Sequence, residues 1–310
     1  MNTGLRITVF AAALAATFGA TYGVGNAVGP LSHKAQGSAH GDAHAHDDGQ
    51  AAGGPGQHEA ALPGGLEISQ GGYTLDLKTP HIAPGKASEL RFAIVRDATG
   101  RNVTGFAREH GKELHLIVAS RDLTVYRHLH PTRASDGTWS TPMELPEPGA
   151  YRVFADFRPQ GGEGLTLGAD LAAAGTYEPA ALPAHTTTAH VDGYDVKLDG
   201  ALAAGADGEL KLTVTKDGKP VRDLQPYLGA YGHLVALRAG DLAYLHVHPH
   251  GEPGDGETKP GPDVSFTATA PSAGMYRLFL DFKHEGKVHT AAFTVHAGRA
   301  AQGAQHQHAH

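Results

Sequence analysis

"ELKLTVTKD", residues 209–217, alternates Leu210, Leu212 and Val214 with Lys211, Thr213 and Thr215. Side chains on a strand point to opposite sides in turn, so period two over this length predicts a β-strand with one buried face. "ELRFAIVRD", residues 89–97, is its counterpart in the first half of the chain. "YRVFADF", residues 151–157, behaves alike, with Tyr151, Val153, Ala155 and Phe157 alternating with Arg152, Phe154 and Asp156. Turn signals such as "DATGRN", "SDGTW", "EPG", "KDGKP", "PSAG" and "HEG" separate these runs, and no stretch of the body sustains a helical period. Short strands at this spacing predict an all-β chain of immunoglobulin-like β-sandwiches, with about seven or eight strands in each.

The strands belong to an internal repeat. "GGYTLDL" (71–77) answers "DGYDVKL" (192–198), "HLIVASRDLTVYRHLHP" (115–131) answers "HLVALRAGDLAYLHVHP" (233–249), and "GAYRVFADF" (149–157) answers "GMYRLFLDF" (274–282). The order is kept throughout. A repeat of about 110 residues predicts tandem domains, since solenoid repeats run to about 20–50. The expected organisation is a sandwich over 64–171, a linker over 172–190 and a second sandwich over 191–297. Residues 298–310 form a histidine-rich tail. Residues 31–63, rich in Gly, Ala, His and Asp without an apolar period, are expected to be a disordered linker.

Residues 1–30 carry an early cation, Arg6, and then an uncharged run from Ile7 to Pro30. This predicts an export segment, and the run suits a cleaved signal peptide and an uncleaved membrane anchor equally. Either form places the body outside the cytoplasm.

The chain has 310 residues and a formal charge of −7 with histidine neutral, which argues against a nucleic-acid partner. Cysteine is absent and methionine numbers three, excluding disulfides, thiolate metal sites, cysteine nucleophiles and methionine-rich cuprous sites. Histidine is the outlier: protonation of all 22 would carry the charge from −7 to +15.

Two motifs concentrate these histidines. His115, His128 and His130 in the first copy recur as His233, His246 and His248 in the second. "SRDL" and "RAGD" lie midway and predict a tight turn, hence a β-hairpin in each copy. A two-residue loop would set His115 opposite His128 and His233 opposite His246, with Cβ atoms about 4.5–5.5 Å apart. His130 and His248 follow on the same face. Three imidazoles so placed can share one metal ion at about 2.0–2.1 Å per bond. His289 in "VHTAAFTV" adds a candidate to the second copy, which should make its site the tighter one. The flanking tracts, with His40, His44 and His46 on one side and His306, His308 and His310 on the other, also suit borderline divalent ions. Asp156 and Asp281 sit on the polar face of their strands, where they can pair across domains or support a histidine. Without a metal, each triad would be a hydrogen-bonded cluster shaping its hairpin.

Catalytic motifs are missing. "HEGKVH" (284–289) has one residue too many for a zinc-protease helix and falls on a turn and strand. No G-x-S-x-G elbow or P-loop occurs.

The hairpin, the following "DGTW" (136–139) and "PGAYRVFADF" resemble the YtkA-like domains of exported bacterial proteins, as does the second copy through "AGMYRLFLDFKHEGKVHTAAFTV". The resemblance implies an immunoglobulin-like sandwich outside the membrane and a link to copper or other metal handling. It carries over to His115, His128, His130, His233, His246, His248 and His289.

The expected function is therefore that of an exported or surface-anchored, non-enzymatic protein that binds copper or zinc. Another envelope metal-handling protein is a candidate recipient, and the membrane a partner if the first segment is uncleaved. Two other classes fit the composition. A surface adhesion or assembly module would carry an apolar or aromatic patch on its loops, and a pH-responsive surface protein would change in acid without metal.

Overall fold

The computed structural model describes residues 62–245 and 247–299, with the side chain of His248 left out. The export segment, nearly all of the 31–63 linker, the histidine-rich tail from residue 300 and His246 lie outside the described residues. Among the described residues no helix is long and apolar enough to cross a membrane.

The chain is all-β, and its two repeats are tandem immunoglobulin-like sandwiches. Each pairs a six-stranded sheet with a five-stranded one. In the first repeat the five-stranded sheet runs His81–Ile82, Leu165–Ala173, Gly149–Phe157, Leu114–Ser120 and Tyr126–Leu129. In the second it runs Ala203–Ala204, Lys287–Arg299, Gly274–His284, Gly232–Arg238 and Tyr244–Leu245. Each sandwich buries its own core, around Phe92, Trp139 and Phe157 in the first and Phe266, Phe282 and Phe293 in the second. A tyrosine at the start of a strand ties its hydroxyl to the backbone four residues upstream in both: Tyr151 donates to the Glu147 carbonyl and Tyr276 to the Ser272 carbonyl, each at 2.8 Å. Such a corner is a hallmark of the immunoglobulin-like sandwich.

Both hairpins form, with a register two residues away from the expected one. Leu116 pairs with Leu129 and Ile117 with His128, so the ladder sets His115 across from His130. The turn is longer than two residues: Ser120 N–H donates to the Val125 carbonyl, and the Asp122 carboxylate accepts from Thr124 N–H. The shift is even, so all three histidines keep a common face. In the second repeat Ala236 pairs with Leu245 and Leu237 with Tyr244. The chain then crosses to the other sheet, where Val247–Pro249 pairs with Asp263–Thr269 and His248 lies opposite Thr267.

The described residues of both repeats fall in one compact unit, and the five-stranded sheets pack on each other. Leu116 and Val118 face the first core, while Ile117 and Ala119 face the second repeat; Leu234 and Ala236 face the second core, while Val235 and Leu237 face the first repeat. The contact has approximate two-fold symmetry. Tyr126 stacks on Phe279 with ring centroids 4.1 Å apart, and the equivalent pair, Tyr244 and Phe154, meets at 5.8 Å. Burying side chains of this size stabilises by about 1.5–3 kcal/mol each. The segment before the first strand closes one side: Tyr244 N–H donates to the Gly64 carbonyl at 2.9 Å. Gly65 sits there at φ 73°, and a Cβ on it would lie 2.4 Å from the Phe154 ring, so the position requires glycine.

Candidate metal centre

His115, His128 and His130 converge where the histidine face of the first hairpin meets the second repeat. One nitrogen from each lies within 4.8 Å of the others. The rings are 5.4 Å (His115–His128), 5.2 Å (His115–His130) and 4.8 Å (His128–His130) apart. Alternation on the Tyr126–Leu129 strand puts His128 and His130 on one side, and the ladder brings His115 to them.

The outer nitrogens are anchored. His128 Nδ1 lies 2.8 Å from Asp281 Oδ2, a carboxylate of the second repeat, and both side chains are nearly sealed, at 5% and 3% exposure. The carboxylate can only accept, so Nδ1 carries the proton and Nε2 presents a lone pair. Asp281 is held in turn by Thr290 Oγ1 at 2.5 Å and Tyr126 Oη at 3.4 Å. His115 Nε2 donates to the Glu109 carbonyl at 3.3 Å, which leaves its lone pair on Nδ1.

These two lone pairs face each other. His115 Nδ1 and His128 Nε2 are 3.1 Å apart, close to the spacing of about 3.3 Å between two nitrogens on one tetrahedral Zn²⁺. A chain without metal can satisfy the pair only by moving the His115 proton to Nδ1, which gives up the bond to Glu109. His130 Nε2 is buried and has no hydrogen-bond partner among the described residues.

Burial keeps the imidazoles of His115, His130 and His233 neutral, the form that ligates metal. Desolvation first, then the like charge of His128, lowers the pKa of His115 to about 3, and the same two causes lower that of His130 to about 3. Desolvation lowers that of His233 to about 4, against a raising bond from the Tyr227 carbonyl.

The other expected ligands fall in three places. His233 belongs to the same cluster, 6.2 Å from His115 and 6.1 Å from His128 between ring centroids. The expectation of one centre per sandwich therefore differs from the structure, which sets His233 beside the first repeat's triad. His289 points to the opposite face of its sheet. It pairs with Phe282 in register, packs on Tyr194 at 4.6 Å and holds Asp192 at 2.8 Å. It cannot join His233, whose partner in register is Asp281 on the alternate face. His246 and the side chain of His248 lie outside the described residues. Beyond the expected set, His110 lies 5.5 Å from His233 and 6.3 Å from His115, at φ 50° in the turn before the hairpin. Tyr227, which borders His130 and His233, carried no sequence signal.

Comparison with solved structures finds similarity to several surface proteins. FdeC, an Escherichia coli adhesin, is 17% identical over 77% of this chain and 66% of its own, with a TM-score of 0.23. The surface layer protein SbsC, domains 4–9, is 12% identical over 74% and 31%, at 0.24. The Yersinia pseudotuberculosis adhesin InvE is 14% identical over 74% and 60%, at 0.21. The chain thus spans less than two thirds of each, and at these TM-scores the likeness carries no argument about fold or function. No curated protein matches the chain. None of these findings bears on the resemblance to the YtkA-like domains. Residues 68–174 and 189–299 each match one family, so the chain belongs, with two tandem copies, to the family described as "Domain of unknown function (DUF8832)".

Proposed function

We propose that this protein binds a borderline divalent cation, Cu²⁺ or Zn²⁺, outside the cytoplasm through His115, His128 and His130, and that it buffers, sequesters or passes on the ion without catalysis. The observation that carries this is the pair of facing nitrogens, 3.1 Å apart, beside the buried Nε2 of His130, which has no partner among the described residues. A carboxylate behind a histidine, as Asp281 stands behind His128, is the usual outer support of a metal-binding imidazole. Nitrogen ligands without sulfur suit Cu²⁺ and Zn²⁺ above harder ions. The apolar segment at 1–30 supports an extracytoplasmic setting, and the two histidine tracts would collect ions at low affinity. Another envelope metal-handling protein is the proposed recipient.

The alternative, a surface adhesion or assembly module, is the reading that the names of the similar adhesins and surface layer protein match, at a similarity too low to carry it. The large apolar side chains exposed among the described residues, Leu62, Ile68, Tyr177 and Val288, offer no cluster of aromatic residues on the loops.

Calorimetric titration tests the proposal, using the full chain with the histidines of both flanking tracts replaced by serine. Saturable binding of Cu²⁺ or Zn²⁺ at pH 7.4, abolished by His128→Ala with His130→Ala, is expected. Absence of binding, or binding untouched by that pair, would overturn it.

A further inference from the structure

We infer that the ion site is one centre shared by the two repeats, in which His233 of the second repeat supplies a fourth nitrogen to the cation held by His115, His128 and His130. This rests on the metal-binding proposal above and adds the second repeat to it.

His233 is the counterpart of His115 in the repeat, and the near two-fold packing of the sheets brings the two side by side. Its preparation is the same. His233 Nε2 donates to the Tyr227 carbonyl at 2.7 Å, as His115 Nε2 donates to the Glu109 carbonyl, in both cases six residues upstream. His233 therefore presents a lone pair at Nδ1. The residue is buried, 9% exposed, with its ring centroid 5.5–6.2 Å from those of His110, His115 and His128.

The division of labour across the interface points the same way. The first repeat provides three nitrogens, yet the carboxylate that orients His128 is Asp281, from the second. Among the described residues, neither repeat alone supplies all four imidazoles and the carboxylate. The triad's nitrogens lie within 4.8 Å of one another without His233, whose ring, 6.1–6.2 Å from those of His128 and His115 between centroids, would swing inward to complete the four-nitrogen sphere that closes a Zn²⁺ or Cu²⁺ site. The ion would thus fasten the sandwiches together.

The probe is Co²⁺ alone, added to the full chain with the flanking-tract histidines replaced by serine. Affinity is read by titration, and the number of bound imidazoles by X-ray absorption. His233→Ala should weaken binding by at least the roughly 10–100-fold typical of losing an outer-shell partner, and remove one imidazole from the count. His233→Gln is the second variant. Its amide can still donate toward the Tyr227 carbonyl, so it decides the matter if the alanine variant fails to fold. Unchanged affinity and imidazole count in the folded His233 variants, with binding lost in His128→Ala/His130→Ala, would overturn the shared centre and leave the triad intact. Undiminished binding in the triad variant would overturn both.

Discussion

The bond between His128 and Asp281 joins residues of different repeats and should be measurable in the metal-free chain. Asp281→Ala removes the acceptor for two close donors, His128 Nδ1 at 2.8 Å and Thr290 Oγ1 at 2.5 Å. Asp281 is 2% exposed and the His128 side chain beside it is similarly sealed. Thr290 is exposed and can turn its hydroxyl to water, so His128 Nδ1 is the buried donor left unsatisfied, which sets the loss at about 1–3 kcal/mol. His128→Ala deprives the carboxylate of one donor and should cost about 1–3 kcal/mol beyond the lost packing. In the double variant the orphaned donor and acceptor vanish together, so a double-mutant cycle should give a coupling of about 1.5–3 kcal/mol, the range for a hydrogen bond to a charged group. The chain's one tryptophan, Trp139, lies in the first core and reports that repeat. Urea unfolding followed by its fluorescence, with chelator present, therefore reads a second-repeat substitution in first-repeat stability. Additivity within about 0.5 kcal/mol would refute the bond. So would a tryptophan-reported midpoint that Asp281→Ala leaves in place.

Acid should destabilise the metal-free chain in a defined window. The folded pKa values of His115, His130 and His233, at about 3, 3 and 4, lie below the ordinary 6.5, so between these limits the unfolded chain binds protons that the folded chain refuses. Their contribution is complete above about pH 6.5 and is lost as pH falls toward about 4 for His233 and about 3 for His115 and His130, at up to about 1.4 kcal/mol per pH unit for the buried His115 and His233 and less for the partly exposed His130; equal urea midpoints at pH 7 and pH 5 would contradict it. Leu237→Ala empties a fully buried position between the repeats and should cost about 2–5 kcal/mol, with a lower tryptophan-reported midpoint although Leu237 lies in the second repeat. An unmoved midpoint would mean that the sheets do not support each other. His289→Ala should lower stability by about 1–3 kcal/mol through lost contact with Tyr194, Phe282 and Asp192. Ion affinity should not change, and calorimetry showing weakened binding would count against placing His289 outside the centre.

Much of this protein was legible in the sequence because β-structure writes a local signature. Period two in "ELKLTVTKD" and "YRVFADF" identified strands and their buried faces, the repeat identified two sandwiches, and alternation alone put His128 and His130 on one side of a hairpin. That convergence survived a register two residues from the expected one, since an even shift preserves the face. The turn chemistry that set the register, with Asp122 capping Thr124 N–H, was too subtle to read from "SRDL". One further signal was present: "LIVA" (116–119) and "LVAL" (234–237) are continuous apolar runs, the mark of strands buried on both faces. Those runs announce a second packing partner without naming it. Only the tertiary structure decided that each five-stranded sheet packs on the other. That packing brings His233 beside His115, sets Asp281 behind His128 across 153 residues of chain, and leaves His289 facing the opposite way. Strand periodicity is a property of neighbours in sequence, whereas the docking of two finished sheets depends on surfaces that exist only once both have folded.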